Sequence, residues 1–419
     1  FLTGDVFNLF VWFEVMLMPS YALVAFYSRR DSTIAALRYV VLNLVGSAVM
    51  LLAIGGLYAT TGTLNMADMA RRLARAGEFG IDPAPVLGLS ALLFAVFALK
   101  AGIVPFQFWV PAAYRAAPAP VSAVLAGITK KVGIYAIIRL YFTVFAAASL
   151  PEGLALPGLA GESFLAFFGP VLFLMGTASI VLGGLGAMAG SDLDEVLAHS
   201  SIGQVGFIVL ALAIPAAAGA DLRAVGVLAA LVYALNHAVA KALLFLVSGS
   251  VYDAVGSIRF RNLGGLTGHS PVLSGTFFIG GLTLVGIPPL AGFFGKLLVF
   301  DTAGRAVAAG VGRGSLALAV ALVGAVLTIL YISRAWNRGF WGAESDPVAR
   351  SASSRPLTAI VALLALAVLA IGVGFDPVYT AAEAAAEAAV DTQGYVDAVD
   401  PTTVGEAVAE RNQGQGVRD

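Results

Sequence analysis

Charged side chains inside apolar segments are the residues of this sequence with the clearest capacity for chemistry. A lysine at the centre of a bilayer costs about 2.5–3.5 kcal/mol on insertion scales, so lysine is uncommon there without a function. The arginines mostly flank the apolar runs of this chain. All five of its lysines lie within those runs: Lys100, Lys130, Lys131, Lys241 and Lys296. This segregation predicts proton-carrying side chains inside a membrane.

An alternative for such lysines is snorkelling, in which the long stem carries the ammonium group to the lipid head groups. This alternative does not suit Lys100 and Lys241, which sit well inside their runs. It stays open for Lys296, which precedes Asp301 by only five residues, unless that helix is broken and continues deeper.

Glu14, in the segment FNLFVWFEVMLMPS, is the only carboxylate well inside an apolar run. A lone buried acid would be protonated and hydrogen-bonded, which is one interpretation. An ion pair with one of the lysines is the other. Opposite charges 4 Å apart attract by about 4 kcal/mol at an effective dielectric constant near 20. Forming or breaking such a pair would switch a lysine between holding and releasing its proton.

The neighbours Lys130 and Lys131 project about 100° apart on a helix, so both are not expected to face one polar interior. Periodicity does not choose between them. His237 and Lys241, in ALNHAVAKALLFL, are four residues apart and therefore share one helix face, with Asn236 beside them. Histidine titrates near neutral pH and suits proton transfer, although a core histidine hydrogen-bonded to a neighbouring helix is the alternative.

Two segments place helix breakers beside a lysine: KAGIVPFQFWVP and GIPPLAGFFGK. Proline removes a backbone hydrogen bond, and the freed carbonyls are tolerated in a membrane only where protein or water satisfies them. Broken helices at mid-depth are common in ion transporters. A simple packing kink is the alternative for either segment alone.

Composition places these residues in a polytopic membrane protein. Hydrophobic residues make up 59% of the 419 residues and charged residues 12%, far from the balance of soluble domains. The net charge of −1 gives no reason to expect nucleic acid as a partner, and the absence of cysteine excludes disulfides and thiolate metal sites. We expect no cofactor, no metal and no catalysis by this chain itself, and its surroundings are expected to be the lipid bilayer.

About ten apolar runs are long enough to cross a membrane, which predicts an all-α helix bundle. The predicted runs are Val6–Ser28, Ala36–Thr60, Val86–Pro111, Pro118–Ala148, Phe164–Gly190, Ser201–Ala218, Ala224–Val251, Pro271–Phe300, Ser315–Trp336 and Leu357–Phe375. We predict a transmembrane domain over residues 1–376 and a C-terminal surface helix with a polar tail over 377–419. Because the chain opens on FLTGD with Phe1, it is expected to be truncated at its N-terminus.

Five segments carry a resemblance to a known family: FLTGDVFNLFVWFEV, ALKAGIVPFQFWVPAAYRAAPAPVSAVLAGITKKVGIYAIIR, HSSIGQVGFIVLALA, ALNHAVAKALLFLVSG and GIPPLAGFFGKLLVF. The chain resembles the antiporter-like subunits shared by respiratory complex I and the Mrp cation/proton antiporters. Its opening segment and its closing GYVDAV look most like the D-type subunit of Mrp. Members usually have fourteen helices, so the resemblance implies that the first four are largely missing.

The resemblance also implies roles for the buried ionisable residues. Glu14 matches the glutamate of the family's fifth helix and Lys100 the lysine of its broken seventh helix. Lys131 matches the lysine of the TKVG pattern, and Lys130 replaces the usual threonine, a departure that leaves either lysine open for the relay. The matches to the eleventh helix and to the broken twelfth helix are His237, Lys241 and Lys296.

The function implied is that of a membrane subunit of a monovalent cation (Na⁺)/H⁺ antiporter. Protons would pass along the Glu, Lys and His residues, other membrane subunits would be partners, and the location would be the cell membrane of a prokaryote. The alternative within the family is a proton-pumping subunit, of the N, M or L type, of NADH-quinone oxidoreductase or a related hydrogenase complex. A third hypothesis is a membrane scaffold that transports nothing.

Overall fold

The computed structural model describes residues 2–151, 163–216 and 218–399, and in these ranges the chain forms helices and no β-sheet. The helices of eight or more residues are α1 (Val6–Val24), α2 (Arg30–Thr61), α3 (Met66–Ala74), α4 (Pro83–Ala101), α5 (Trp109–Ala116), α6 (Ala119–Ala147), α7 (Phe164–Ala189), α8 (Leu193–Ala213), α9 (Ala220–Val255), α10 (Pro271–Val285), α11 (Ala291–Ala308), α12 (Gly314–Gly339), α13 (Arg355–Val373), α14 (Asp376–Val390) and α15 (Thr392–Val399).

The predicted helical membrane bundle is confirmed. In the described part of the chain, nine helices are long and apolar enough to cross a membrane. A further predicted run is divided between α10 and α11. The largest difference in a helix start is at α8, which begins at Leu193 instead of Ser201, because the Asp192 carboxylate accepts a hydrogen bond from the Glu195 amide at 2.8 Å and caps the helix.

Two breaks interrupt the bundle beside lysines, as predicted. Helix α4 ends at Gly102, whose φ is 63°, and the chain resumes as a helix at Trp109. Helix α10 ends at Gly286, whose φ is 87°, and α11 starts at Ala291. A left-handed glycine of this kind is a common helix ending because it has no Cβ to clash. Each break therefore exposes the carbonyl end of one helix inside the protein.

Helix α8 occupies the centre of the bundle, with α7, α9, α11 and α12 around it. Glycines allow α7 and α8 to approach closely. A Cβ placed on Gly183 would overlap the Gly203 nitrogen, so no side chain fits there. Such contacts between small residues are the usual way in which membrane helices pack. Buried at the centre, α8 can offer its serine hydroxyls and carbonyls to neighbouring lysines.

The C-terminal helices are tied to the end of α6. Thr143 donates a hydrogen bond to the Ala389 carbonyl at 2.7 Å, and Thr392 donates one to the Thr143 carbonyl at 2.8 Å. Helix α14 starts at the predicted domain boundary, although the division at residue 376 stays a prediction. Most of the predicted polar tail, residues 400–419, lies outside the described residues.

Candidate functional site

Glu14 and Lys100 face each other at the first break. The Lys100 ammonium lies 3.8 Å from the Glu14 carboxylate, and their side chains are 2% and 15% exposed. The Ser47 hydroxyl of α2 connects them: it donates to Glu14 in a short hydrogen bond and accepts one from Lys100 at 2.8 Å. Lys100 also donates to the Asn43 carbonyl at 3.3 Å. The pair is therefore a serine-bridged ion pair held by three helices.

Lys130 lies behind the same break. Its side chain is fully buried, and its Nζ would be 3.4 Å from a Cβ placed on Gly102, the residue that ends α4. The ammonium donates a hydrogen bond to the Ser201 carbonyl of α8 at 3.3 Å. Lys130 thus joins the break that follows Lys100 to the central helix.

Lys241 reaches α8 one residue away from Lys130. It donates to the Leu197 carbonyl at 2.8 Å and makes a short hydrogen bond to the Ser200 hydroxyl. The two ammonium groups thus bond adjacent residues of one helix. The Ser200–Ser201 step of α8 therefore separates two buried lysines that come from α6 and α9.

Lys131 points elsewhere than Lys130. It is half-buried, and its ammonium donates a short hydrogen bond to the Ala126 carbonyl of its own helix. It still lies within electrostatic reach of Lys130, Lys241 and His237. The two neighbours therefore differ: Lys130 contacts α8, and Lys131 remains on α6.

His237 borders a small cavity beside the second break. The ring is 2% exposed, and within the described residues neither of its nitrogens has a hydrogen-bond partner. The cavity has a volume of about 10 Å³, close to the smallest space that holds one water. Its lining includes Gln204, Tyr233, Asn236, Thr283 and Gly292. An unpartnered imidazole beside a water-sized polar cavity can exchange a proton through that space.

Lys296 lies at the second break itself. It is 5% exposed, and it donates to the Val285 carbonyl, the last of α10, at 2.9 Å. Its ammonium also sits 5.4 Å from the centre of the Phe207 ring, a cation–π contact. Helix α11 continues past Lys296 as far as Ala308, and the lysine is buried within the protein.

The remaining polar residues of the site carried no separate prediction. They are Asn43, Ser47, Ser200, Ser201 and Gln204. Ser200, Ser201 and Gln204 lie in the segment HSSIGQ, which places several polar side chains inside an apolar helix. This segment is the one sequence signal that could have led to these three residues. In the described ranges, no group of three or more His, Asp or Glu side chains could hold a metal ion.

A family model supplies the decisive comparison. Residues 3–328 match the model described as NADH:quinone oxidoreductase/Mrp antiporter, transmembrane. The chain belongs to this family. The D-type subunit of the Na(+)/H(+) antiporter of Bacillus subtilis (strain 168) is 30% identical to it over 401 residues, which cover 95% of this chain and 74% of that protein. The N-type subunit of the NADH-quinone oxidoreductase of Desulforudis audaxviator (strain MP104C) is 35% identical over 382 residues, 89% of this chain and 69% of that protein.

Solved structures agree with the family assignment. A chain in the structure of the Mrp complex from Dietzia sp. DQ12-45-1b matches with a TM-score of 0.79 and 27% identity, over 95% of this chain and 76% of that one. Both this match and the bacterial relatives belong, by name, to larger membrane assemblies. This member of the NADH:quinone oxidoreductase/Mrp family is accordingly a polytopic membrane subunit with other membrane subunits as partners.

Proposed function

We propose that this chain is a D-type subunit of a monovalent cation (Na⁺)/H⁺ antiporter in the cell membrane of a prokaryote. The observation that carries the proposal is the line of buried lysines between two helix breaks, with one carboxylate at its start. In its described part, the chain offers proton-binding groups along this line and no cluster of carboxylates for sodium. The chain is therefore the proton-carrying part of the exchange, and sodium takes backbone carbonyls or a partner subunit.

The proposed order of proton transfer follows the contacts. It begins at Lys100 and ends at Lys296, with Lys130, Lys241 and His237 between them. Lys130 is favoured over Lys131 for the second position because it touches both the first break and Ser201 of α8. Lys241 is the next group, on the adjacent serine of the same helix.

Glu14 controls the first transfer in this proposal. While its carboxylate faces Lys100 across Ser47, the attraction favours the charged lysine. Moving the carboxylate away, or protonating it, removes that stabilisation and lets Lys100 pass its proton toward Lys130. The pair is then a switch on the entry of protons into the line.

Vesicles containing the assembled complex test the function. With no electron donor present, a sodium gradient is expected to change the internal pH, and Lys100→Ala is expected to abolish this change while the complex still assembles. Unchanged exchange in Lys100→Ala would favour the scaffold hypothesis. The 35% identity to an N-type subunit supports the redox alternative, and pH changes that appear only with an electron donor would establish it.

The choice between the two neighbouring lysines has its own test. Lys130→Met is expected to reduce exchange at least tenfold, and Lys131→Met, the matched control, to reduce it less than threefold. Methionine keeps the length of the stem without the charge. The reverse result would assign the relay to Lys131, as the TKVG pattern implies.

A further inference from the structure

A buried amide lies between the last two lysines of the line. Gln204 of α8 is 2% exposed and contacts three hydroxyl groups from two other helices. The Tyr233 hydroxyl donates to Gln204 Oε1 at 2.5 Å. Gln204 Nε2 donates to Tyr331 at 2.9 Å and to Thr328 at 3.1 Å. The glutamine is the centre of this network.

The surrounding hydrogen bonds fix the orientation of this amide. Thr328 donates its only hydroxyl hydrogen to the Gly324 carbonyl at 2.8 Å, so toward Gln204 it can only accept. The atom facing Thr328 must therefore be the NH₂ group. The amide oxygen then faces Tyr233, which acts as donor, and the flipped arrangement would place two acceptors together.

On one side the network reaches Lys241. Ser200, the group that holds the Lys241 ammonium, lies one helical turn before Gln204 on the same face of α8, beside the Tyr331 hydroxyl that Gln204 contacts. On the other side it reaches the second break. Tyr233 borders the cavity of His237 and stacks on Phe207 at 5.4 Å, the ring that lies against Lys296. From Lys241, one polar route therefore leads through Gln204 and Tyr233 to the cavity, and a second leads to it through His237; the cavity itself borders the second break.

The two routes differ in whether a proton can pass. A hydroxyl accepts a proton on its oxygen and releases its own, so a chain of hydroxyls conducts. The amide nitrogen of Gln204 has no free lone pair, so it cannot accept a proton from Tyr331. A proton arriving from Lys241 thus stops at Tyr331, and one arriving from the cavity stops at the amide oxygen.

We infer that Gln204 is an insulating residue, which closes the hydroxyl route between Lys241 and Lys296 and makes transfer depend on His237. The inference rests on the proposed function. The consequence is that proton transfer is controlled by His237, which must take up and release each proton. An open hydroxyl chain would instead let protons leak through without coupling to the cation. Gln204 is a positioning residue in this sense, since it sets the route and carries no proton.

The test replaces Gln204 by a residue that can both accept and release a proton. Gln204→Glu replaces the NH₂ group by an oxygen that accepts and releases a proton, and Gln204→Met is the control that fills the space without doing either. In vesicles holding the assembled complex and an imposed pH gradient without sodium, we expect Gln204→Glu to raise proton leakage at least fivefold. The leakage of Gln204→Met is expected to stay within twofold of the natural protein.

A double variant gives an independent readout. His237→Ala is expected to abolish sodium-driven exchange, and adding Gln204→Glu is expected to restore proton movement at least in part, because the second route is then open. Should the Glu variant fail to assemble, Gln204→His offers the same ability to accept and donate. Equal proton leakage in Gln204→Met and Gln204→Glu would overturn the inference. It would also be overturned if assembled Gln204→Glu or Gln204→His variants neither raised proton leakage nor restored proton movement in His237→Ala. Absence of exchange in the natural protein would instead overturn the proposed function.

Discussion

The two helix breaks look alike in backbone and differ in what holds their lysine. At the first, Lys100 has a carboxylate partner 3.8 Å away, bridged by Ser47. At the second, Lys296 rests on the Val285 carbonyl and the Phe207 ring, and no ion pair involves it in the described ranges. A carboxylate faces the Lys100 ammonium, whereas only a carbonyl dipole and an aromatic ring face the Lys296 ammonium. The same backbone break thus holds a lysine with a counter-charge in one half of the bundle and a lysine without one in the other.

Removing each lysine in turn should separate the two breaks most strongly. Lys100→Met leaves Glu14 buried without its counter-charge, a change that costs about 3–5 kcal/mol for buried pairs. Lys296→Met leaves only a carbonyl without a donor, for which we expect about 1–2 kcal/mol. Unfolding of the chain in mild detergent measures both. The double variant Glu14→Gln/Lys100→Met should recover most of the loss, and equal losses for the two lysines would contradict the comparison.

The bridging serine, Ser47, belongs to the first break alone. Its removal should therefore lower the stability of the chain, by less than the removal of Lys100 does. In Ser47→Ala the ammonium and carboxylate lose a shared hydroxyl, and at 3.8 Å they have no direct hydrogen bond to replace it. We expect a loss of about 1–3 kcal/mol and a several-fold slower exchange. Ser90→Ala is the matched control, because that hydroxyl bonds only the Leu87 carbonyl of its own helix, at 2.8 Å. A similar effect of both variants would show that the bridge does not matter.

Substituting the glycines that end α4 and α10 should show the smallest difference in stability between the two breaks. Gly102→Ala, Gly286→Ala and the control Gly310→Ala all place alanine at a positive φ, 63°, 87° and 72° respectively, which costs about 1–2 kcal/mol. Gly310 has open space around it, so it measures this backbone cost alone. A Cβ on Gly102 would also lie 2.6 Å from Val110, whereas one on Gly286 meets the movable stem of Lys296 at 2.9 Å. Thermal unfolding should therefore rank Gly102→Ala as the most damaging.

The sequence was sufficient to predict the spans, the breaks and the ionisable residues that lie inside the bundle, because each has a large local signal. Twenty apolar residues, a proline pair or a lysine in hydrocarbon stands out in a short window. Ser47 has no such signal, and Gln204 has only the weaker one of the segment HSSIGQ. Their partners are 53 and 127 residues away along the chain, and serine or glutamine in an apolar run is not costly enough to be noticed.

The choice between Lys130 and Lys131 stayed open in the sequence for a different physical reason. A π-helical turn, Leu125–Thr129, comes directly before Lys130. Such a turn holds more residues than an α-helical one, so it rotates every later side chain relative to the 3.6-residue pattern. Periodicity assumed an unbroken α-helix and therefore could not tell which lysine faces α8.

The close packing of α9 against α11 has a consequence for Lys296, which lies on α11. Asn236 donates to the Ala291 carbonyl at 2.6 Å, and Gly295 packs where a Cβ would be 3.2 Å from the Tyr233 Cα, so the two helices are in close contact. Helix α9 has 36 residues and is about 54 Å long, whereas the hydrocarbon core is about 30 Å thick. Even with the usual tilt of a membrane helix, part of α9 therefore lies outside the hydrocarbon. Because Lys296 lies on α11 and bonds the last carbonyl of α10, a displacement of α9 that α11 followed would change the contact between Lys296 and Val285.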